Sequence, residues 1–564
     1  MKIKFAGLLK KISYLYLVLF FYAIGYTQNI RVEMRSKNPQ GQAIIDSIYS
    51  HKEYSNLTEG LKAANSLLTQ LQKKGYLEAT SHLVTPTSEN NYAVEFELND
   101  LTKSLHLCVK GCNVLVEQSA YPIENDTLLL PVSETDKFLA DNLKKLEAKG
   151  ESLAKLQLTN LERKKNYLCA QLIYTPENKR KLDALIIKGY PNFPAGHLTN
   201  LRKQNRKRPF NQTMVKQLKK EVDAYPFCTQ IKSPEIQFTK DSTYLYIYVQ
   251  KRNANSFDGL LGFSNNETKN IRLSGYVDLV LQNILNSGES IALNWKSDGK
   301  QQTTFAGQVD LPYVFNSPLA LKAQLQITKQ DSTFQNTKTA IQLGYLMRFH
   351  KRLYLGYQSV ESSDIQNLNS GNLSDYTNHF TTLSYEYFNQ TSESIFFSEK
   401  TSLSAQYGIG ARKSPTAKIA QSFLYLKAKH DWALNEKNHL VLKNELYYLQ
   451  SNTYLVNELG RFGGINSIIG FNENSLQANF YNLSRVEYRL QISPTLYWST
   501  LFDYGLLQDQ TLSKKTTTLS GLGTGIKLAT KTGLLSLIYG TGTTGNQNIN
   551  NKNALVHLSL KSYF

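Results

Sequence analysis

The chain has 564 residues, 41% of them hydrophobic, with 35 Tyr and 25 Phe, and its 64 Lys and Arg against 45 Asp and Glu give a formal charge of +19. Such a length exceeds one ordinary core and calls for several domains, and a mean hydropathy of -0.38 does not suit a helical membrane protein. The basic residues are dispersed, and no base-stacking pattern accompanies the densest run, RKQNRKR from Arg202 to Arg208. That run reads as an exposed loop or a contact with anionic lipid, and nucleic acid is excluded as a partner.

Residues 1–27 read as a secretory signal peptide. Lys2, Lys4, Lys10 and Lys11 form a basic start, Ile12 to Ile24 a short apolar stretch, and Gly25 and Thr27 small residues before cleavage at Gln28. The apolar stretch is shorter than the ~20 residues a spanning helix needs, and no later segment reaches that length. A membrane crossing by this chain therefore requires strands.

From Gln28 to about Arg252 the hydrophobic period is mixed, and three small α/β units are expected over 28–100, 101–178 and 179–252. The first opens with the strand IRVEM, then a helix with Leu57, Leu61, Ala64, Leu68 and Leu71 on one face. Gly75 terminates that helix, and YAVEFEL supplies a hairpin strand. In the second, LHLCV and NVLVE are strands, Ser133 with Asp136 forms a capping box, and Leu139, Leu143 and Leu146 mark a helix. AKLQL and YLCAQLIY close it as a hairpin. The third runs from LDALIIKGY through a short helix near His197 to Leu201. A second helix follows, with Val215, Leu218 and Val222 inward, and the unit closes on EIQF and YLYIYVQ.

Four cysteines are few for an exported chain. Cys108 and Cys112 flank VKG and are spaced for a small hairpin disulfide. Cys169 reads as a buried small hydrophobe, and Cys228 is unassigned. The nine His show no metal-ligand spacing. No nucleophile elbow, paired-carboxylate pocket or phosphate loop is present, so neither an enzyme nor a cofactor is expected.

From Phe257 a two-residue period takes over. In IRLSGYVDLVL, Ile271, Leu273, Val277, Leu279 and Leu281 share one face, and in SIALNWK, Ile291, Leu293 and Trp295 do so. The pattern continues to the end of the chain with no helix and gives roughly 16 strands over 253–564, the even count of a closed outer-membrane barrel. The final strand carries Val556, Leu558, Leu560 and Phe564 in phase.

These motifs carry a family resemblance. The βααββ order of the N-terminal units resembles POTRA modules, best in the third unit with KGYPNFP and VKQLKKEVDAYPF. GRFGGINSIIGF resembles the sixth loop of the outer-membrane assembly and transport superfamily (BamA/TamA type), which joins POTRA modules to a 16-stranded barrel. The fold class implied is α+β periplasmic POTRA repeats followed by an all-β transmembrane barrel. The resemblance implies a loop folded into the lumen, with a motif of Arg461, Gly463, Gly464, Ser467, Ile469, Gly470 and Phe471. It also implies barrel-wall acids Glu487 and Asp503 facing that loop. Ile469 stands where the family has the arginine that pairs with those acids, and Arg461, Arg485 and Arg489 are candidates to neutralise them instead. Weaker docking of the loop is expected, with Arg at 469 raising thermal stability.

Three modules and this length look most like the outer-membrane subunit of the translocation and assembly module. The expected function is assembly or translocation of other proteins at the cell outer membrane, with the modules in the periplasm. The resemblance implies capture of unfolded outer-membrane or secreted clients on POTRA edges and templating at a seam between the first and last strands. Gly259 and Gly262 weaken the first of these and Phe564 ends the last. Further expected partners are the lipid bilayer and an inner-membrane-anchored subunit. A dedicated two-partner-type secretion pore and a passive barrel channel are the alternatives.

Overall fold

The computed structural model describes residues 30–50, 52–88, 91–112, 121–164, 166–265, 271–297, 302–366, 372–390, 396–512, 515–545 and 554–564. The signal segment and the NVLVE strand expected from the sequence lie outside them. The chain divides into two compact units, residues 1–180 with 209–211 and residues 181–208 with 212–564.

The first unit holds two modules. In one, β1 (Ile30–Arg35), α1 (Pro39–Ile48), β2 (Glu53–Tyr54), α2 (Leu57–Lys73), β3 (Thr80–Ser88) and β4 (Asn91–Glu97) form a sheet in the order β2-β1-β4-β3. The parallel β1–β4 pair puts Val32, Met34, Val94 and Phe96 under α2, which contributes Ala64, Leu67 and Leu71 to the same core. Gly75, at φ +109°, takes the left-handed turn that ends α2, where a Cβ would press on the Thr102 carbonyl. α1 has no counterpart in the sequence reading, because it is only ten residues long and its apolar face is the short set Ile44, Ile45 and Ile48.

In the second module the described residues of the first half differ from those of its neighbours. β5 (Ser104–Cys108), β6 (Ile123–Glu124), β7 (Thr127–Pro131), α3 (Thr135–Ala148), β8 (Lys155–Lys164) and β9 (Tyr167–Thr175) build a sheet ordered β6-β7-β5-β9-β8. Among the described residues a β6–β7 hairpin stands where the βααββ order has its first helix. Nor does Ser133 cap α3. It lies inside a single 3-10 turn, Val132–Glu134, that leads into the helix, and Glu134 is the N-cap without a side-chain bond.

The cysteine staple is also corrected. Cys108 and Cys112 are both free. Along β5, Leu105 and Leu107 face the core, so Cys108 points to the opposite side, whereas Cys112 is buried in the core cluster and its Sγ donates to the Leu172 carbonyl at 3.5 Å. The two thiols sit on different faces of the sheet.

In the second unit, β10 (Ala184–Lys188), α4 (Ala195–Asn205), α5 (Gln212–Asp223), β11 (Cys228–Gln230), β12 (Glu235–Phe238) and β13 (Thr243–Lys251) make the third module. β10 and β13 pair in parallel, and Leu245, Ile247 and Val249 of β13 are wholly buried against Leu218 and Val222 of α5.

The same unit contains the barrel. Its first half is β14 (Ser256–Asn265), β15 (Ile271–Gln282), β16 (Ser290–Ser297), β17 (Gln302–Leu311), β18 (Leu319–Gln330), β19 (Phe334–Arg348), β20 (Lys351–Asp364) and β21 (Tyr376–Gln390). β22 (Glu399–Lys413), β23 (Lys418–Ala433) and β24 (Asn438–Gln450) follow. The short pair β25 (Gly460–Phe462) and β26 (Leu476–Ala478) then interrupts the meander. β27 (Phe480–Ser493), β28 (Leu496–Gln508), β29 (Thr516–Ala529), β30 (Gly533–Thr544) and β31 (Leu555–Tyr563) complete it. Every strand from β14 to β31 except β25 and β26 belongs to one closed antiparallel barrel of 16 strands.

Its faces are inverted relative to a soluble protein. On β19, Ile341, Leu343, Tyr345 and Met347 are 63%, 57%, 52% and 45% exposed, while Ala340, Gln342 and Leu346 between them are buried. Val556, Leu558 and Leu560 on β31 point outward in the same way. Closure pairs the backbone around the ring, and the apolar exterior suits hydrocarbon, the two conditions for spanning a bilayer with strands. No helix among the described residues is long and apolar enough to cross a membrane.

Candidate functional site

Residues 451–479 connect β24 to β27 and fold inward. The β25–β26 hairpin pairs Gly460 with Ala478 and Phe462 with Leu476, and Gly464 bridges to Ile468. Gly463, Gly464 and Gly470 all have positive φ, at +122°, +89° and +81°, so the turn relies on glycine. Phe462, Ile468 and Ala478 are buried with Tyr481, Leu483 and Leu519 of the wall, and the Phe462 and Tyr481 rings lie 4.3 Å apart. That burial accounts for an apolar, glycine-rich sequence in a segment that joins two strands.

The tip rests on a platform of wall glycines. Gly521 and Gly523 of β29 pair directly with Gly542 and Gly540 of β30. Ile469 is wholly buried over them and packs with Leu501 and Ile538. A Cβ at Gly521 would stand 2.6 Å from the Ile469 carbonyl oxygen, and one at Gly542 would stand 2.6 Å from the Phe471 ring. Four side-chain-free positions on neighbouring strands thus make the room that the loop fills.

Charge reinforces the fit from the wall. Arg485 and Asp503 are cross-strand partners on β27 and β28. The Arg485 guanidinium donates to both Asp503 oxygens, at 2.6 and 2.7 Å, and its Nη1 donates to the Ile465 carbonyl at 2.7 Å. Asp503 Oδ2 also accepts the Ile469 amide at 2.7 Å. No arginine stands at 469, and the cation that contacts the loop backbone here is Arg485 on the barrel wall.

The other motif residues divide. Ser467 accepts from the Gly463 amide at 3.4 Å and stabilises the turn. Arg461 donates to Gln330 and Gln477 and lies over the Phe334 ring, so it pairs with neither wall acid. Glu487 faces inward as expected from the sequence, yet it is held by Arg489 on its own strand, at 2.8 and 2.9 Å, and not by the loop. Sequence reasoning missed the buried Arg412–Glu458 ion pair that anchors the base of the loop, with Gln421 donating to the same carboxylate at 2.9 Å. It missed the platform as well, although glycines two apart in both SGLGTG and YGTGTT are its signature.

The seam between β14 and β31 has only three register pairs, Ser256–Tyr563, Phe257–Ser562 and Asp258–Lys561. On their other sides the same strands make ten pairs with β15 and eight with β30. Gly259 follows the last seam pair immediately, Gly262 pairs with Ser274 away from the seam, and the Phe564 amide donates to the Asn255 carbonyl at 3.1 Å.

No family model and no curated protein matches the sequence. Among solved structures, CdiB from Acinetobacter baumannii is 13% identical with a TM-score of 0.51 and covers 89% of this chain and 97% of its own. CdiB from Escherichia coli is 11% identical at a TM-score of 0.51 and covers 94% of this chain and 100% of its own. BamA from Haemophilus ducreyi lacking POTRA domains 1-3 covers 77% of this chain and 94% of its own, at 14% identity and a TM-score of 0.43. The chain shares the fold of CdiB, with small α/β modules followed by a closed barrel of 16 strands.

Proposed function

We propose that this chain is an outer-membrane assembly and translocation factor. Its periplasmic modules take hold of unfolded outer-membrane or secreted clients, and the barrel seam opens to let them insert or pass. The observation that carries this reading is the seam. A barrel whose other joints are long closes through three pairs, and the first residue beyond them is a glycine. Such a joint separates at a smaller cost in backbone hydrogen bonds than any other described pair of barrel strands. The modules complement it with exposed sheet edges at β3, β8 and β10, a geometry that accepts an extended segment without regard to its sequence. β8 carries a bulge between Thr159 and Glu162, which blunts that edge against indiscriminate pairing. An inner-membrane-anchored partner and a periplasmic orientation of the modules belong to this proposal.

A second reading, a dedicated export pore, draws on a lumen cavity of about 380 Å³ beside the loop, lined by Gln326, Asn336, Gln358, Asn378 and Tyr425 among others. Its polar wall suits an extended chain in transit. Depletion of the protein followed by outer-membrane and secreted proteomics separates the two. Loss of many barrel proteins supports assembly, loss of one secreted protein supports dedicated export, and an unchanged proteome refutes both.

A further inference from the structure

The third module and the barrel enclose a cleft of about 410 Å³, lined by Arg208, Lys220, Glu221, Arg348, His350 and Lys351 among others. Arg348 at the end of β19 is committed to the buried Glu221 of α5, at 2.6 Å. Among the described residues, no carboxylate lies within ion-pair distance of Arg208, Lys220 or Lys351. These three cations come from separate places, namely the α4–α5 connection, α5 and the start of β20. His350, in the turn between β19 and β20, is held down to about 4 by burial and then by Lys351, Arg348 and Lys220. Glu221, already paired with Arg348, is the one carboxylate among the residues that line the cleft, so its cations stand in excess.

Its position gives that charge a meaning. Lys351 begins β20 on the outward face, in register with Tyr387 and with its Nζ 5.9 Å over that ring. Directly along the same face run Leu353 and Leu355, 41% and 62% exposed, beside Tyr345 and Met347 of β19. A cleft with an excess of positive charge is thus continuous with an apolar stripe, at the end of the barrel where the strands leave the hydrocarbon. Aromatic rings at that level are the usual markers of the membrane interface.

We infer that this cleft binds the phosphate headgroup of an anionic phospholipid, whose acyl chains lie along the outward face of β19 and β20. Arg208, Lys220 and Lys351 supply the charge, and the lipid stands between module and barrel. Free phosphate presents the same oxyanion but has no use for the stripe. The inference rests on the membrane-spanning barrel and not on client handling, so its readout is lipid retention alone.

The test uses the full chain in nanodiscs of phosphatidylcholine containing a minor fraction of phosphatidylglycerol, released for native mass spectrometry. The wild-type chain is expected to retain phosphatidylglycerol about tenfold above its share of the bilayer, and R208Q/K220Q/K351Q to lose that enrichment. If heat-modifiable migration on gels shows the triple variant unfolded, the exposed single changes K220Q and K351Q are read instead, each lowering retention. Equal retention of the two lipids overturns the inference, as does enrichment that persists in the folded variants. Complete displacement by inorganic phosphate also overturns it, because it would make the cleft a free-anion site.

Discussion

Asp503 receives two hydrogen bonds from Arg485 and one from the Ile469 amide, so three of its roughly four acceptor positions are taken. An arginine at 469 would bring a second guanidinium to a site with one acid, and would drive a long side chain into the glycine platform that Ile469 fills. Ile469→Arg is therefore expected to lower the melting temperature of the purified barrel, with a cost of about 3 kcal/mol or more from overpacking and an uncompensated charge. That reverses the expectation drawn from the loop motif alone; a midpoint at or above wild type would restore it. Arg485→Met leaves Asp503 charged, buried and one partner short, and is expected to cost about 3–5 kcal/mol. Arg485→Met with Asp503→Leu removes both charges and should recover most of that loss in the same melt. If the double variant is as unstable as the single one, the wall pair is not what holds the tip. The acids were legible through the resemblance, since the alternation of their strand is imperfect at Tyr488. The wall arginine was one of three candidates, and only cross-strand register singles it out.

α4 docks on the barrel through His197, which is completely buried with neither ring nitrogen hydrogen-bonded among the described residues. Its ring packs edge-on against Tyr225, Phe227 and Tyr313 and tilts against Phe349, and a Cβ on Gly288 would run into it. Burial, and then the Arg352 charge, lowers its pKa from 6.5 to about 3. With the folded value depressed, the unfolded state binds the extra proton first. The contribution of this joint is complete above about pH 6.5 and is lost as pH falls towards 3, by about 1.4 kcal/mol per unit within that window. His350 acts in the same direction. The protection factors of the α4 amides, referred to intrinsic exchange at each pH, are expected to fall between pH 6.5 and 5, and His197→Phe should flatten most of that dependence. An equal fall in protection in the variant would mean that another group controls the joint. Elements such as α5 and the barrel strands were legible because one face of each meets a different medium from the other. The apolar face of α1 is too short to stand out, and the β6–β7 hairpin left no periodic trace long enough to distinguish it from a connection.

The whole barrel has one joint unlike the rest, and its consequences are decided by the medium. In hydrocarbon an unpaired backbone group costs several kcal/mol, so a seam of three pairs leaves parts of β14 and β31 in need of partners. On the proposed function, strands of a client would supply such partners, and the glycine after Asp258 would let the edge bend away to receive them. On that argument a covalent lock at the seam should abolish function without harming the fold. Phe257→Cys with Ser562→Cys joins register partners whose cross-strand spacing suits a disulfide, away from the Asp258 carboxylate that accepts from Tyr276. The oxidised variant is expected to keep heat-modifiable migration and intact lumen-loop packing, yet to fail to restore the outer-membrane proteome of depleted cells. Reductant should return activity, because nothing but the seam has been changed. A locked barrel that rescues as well as wild type would show that clients pass through the lumen with the seam closed, and the dedicated-pore reading would then take precedence.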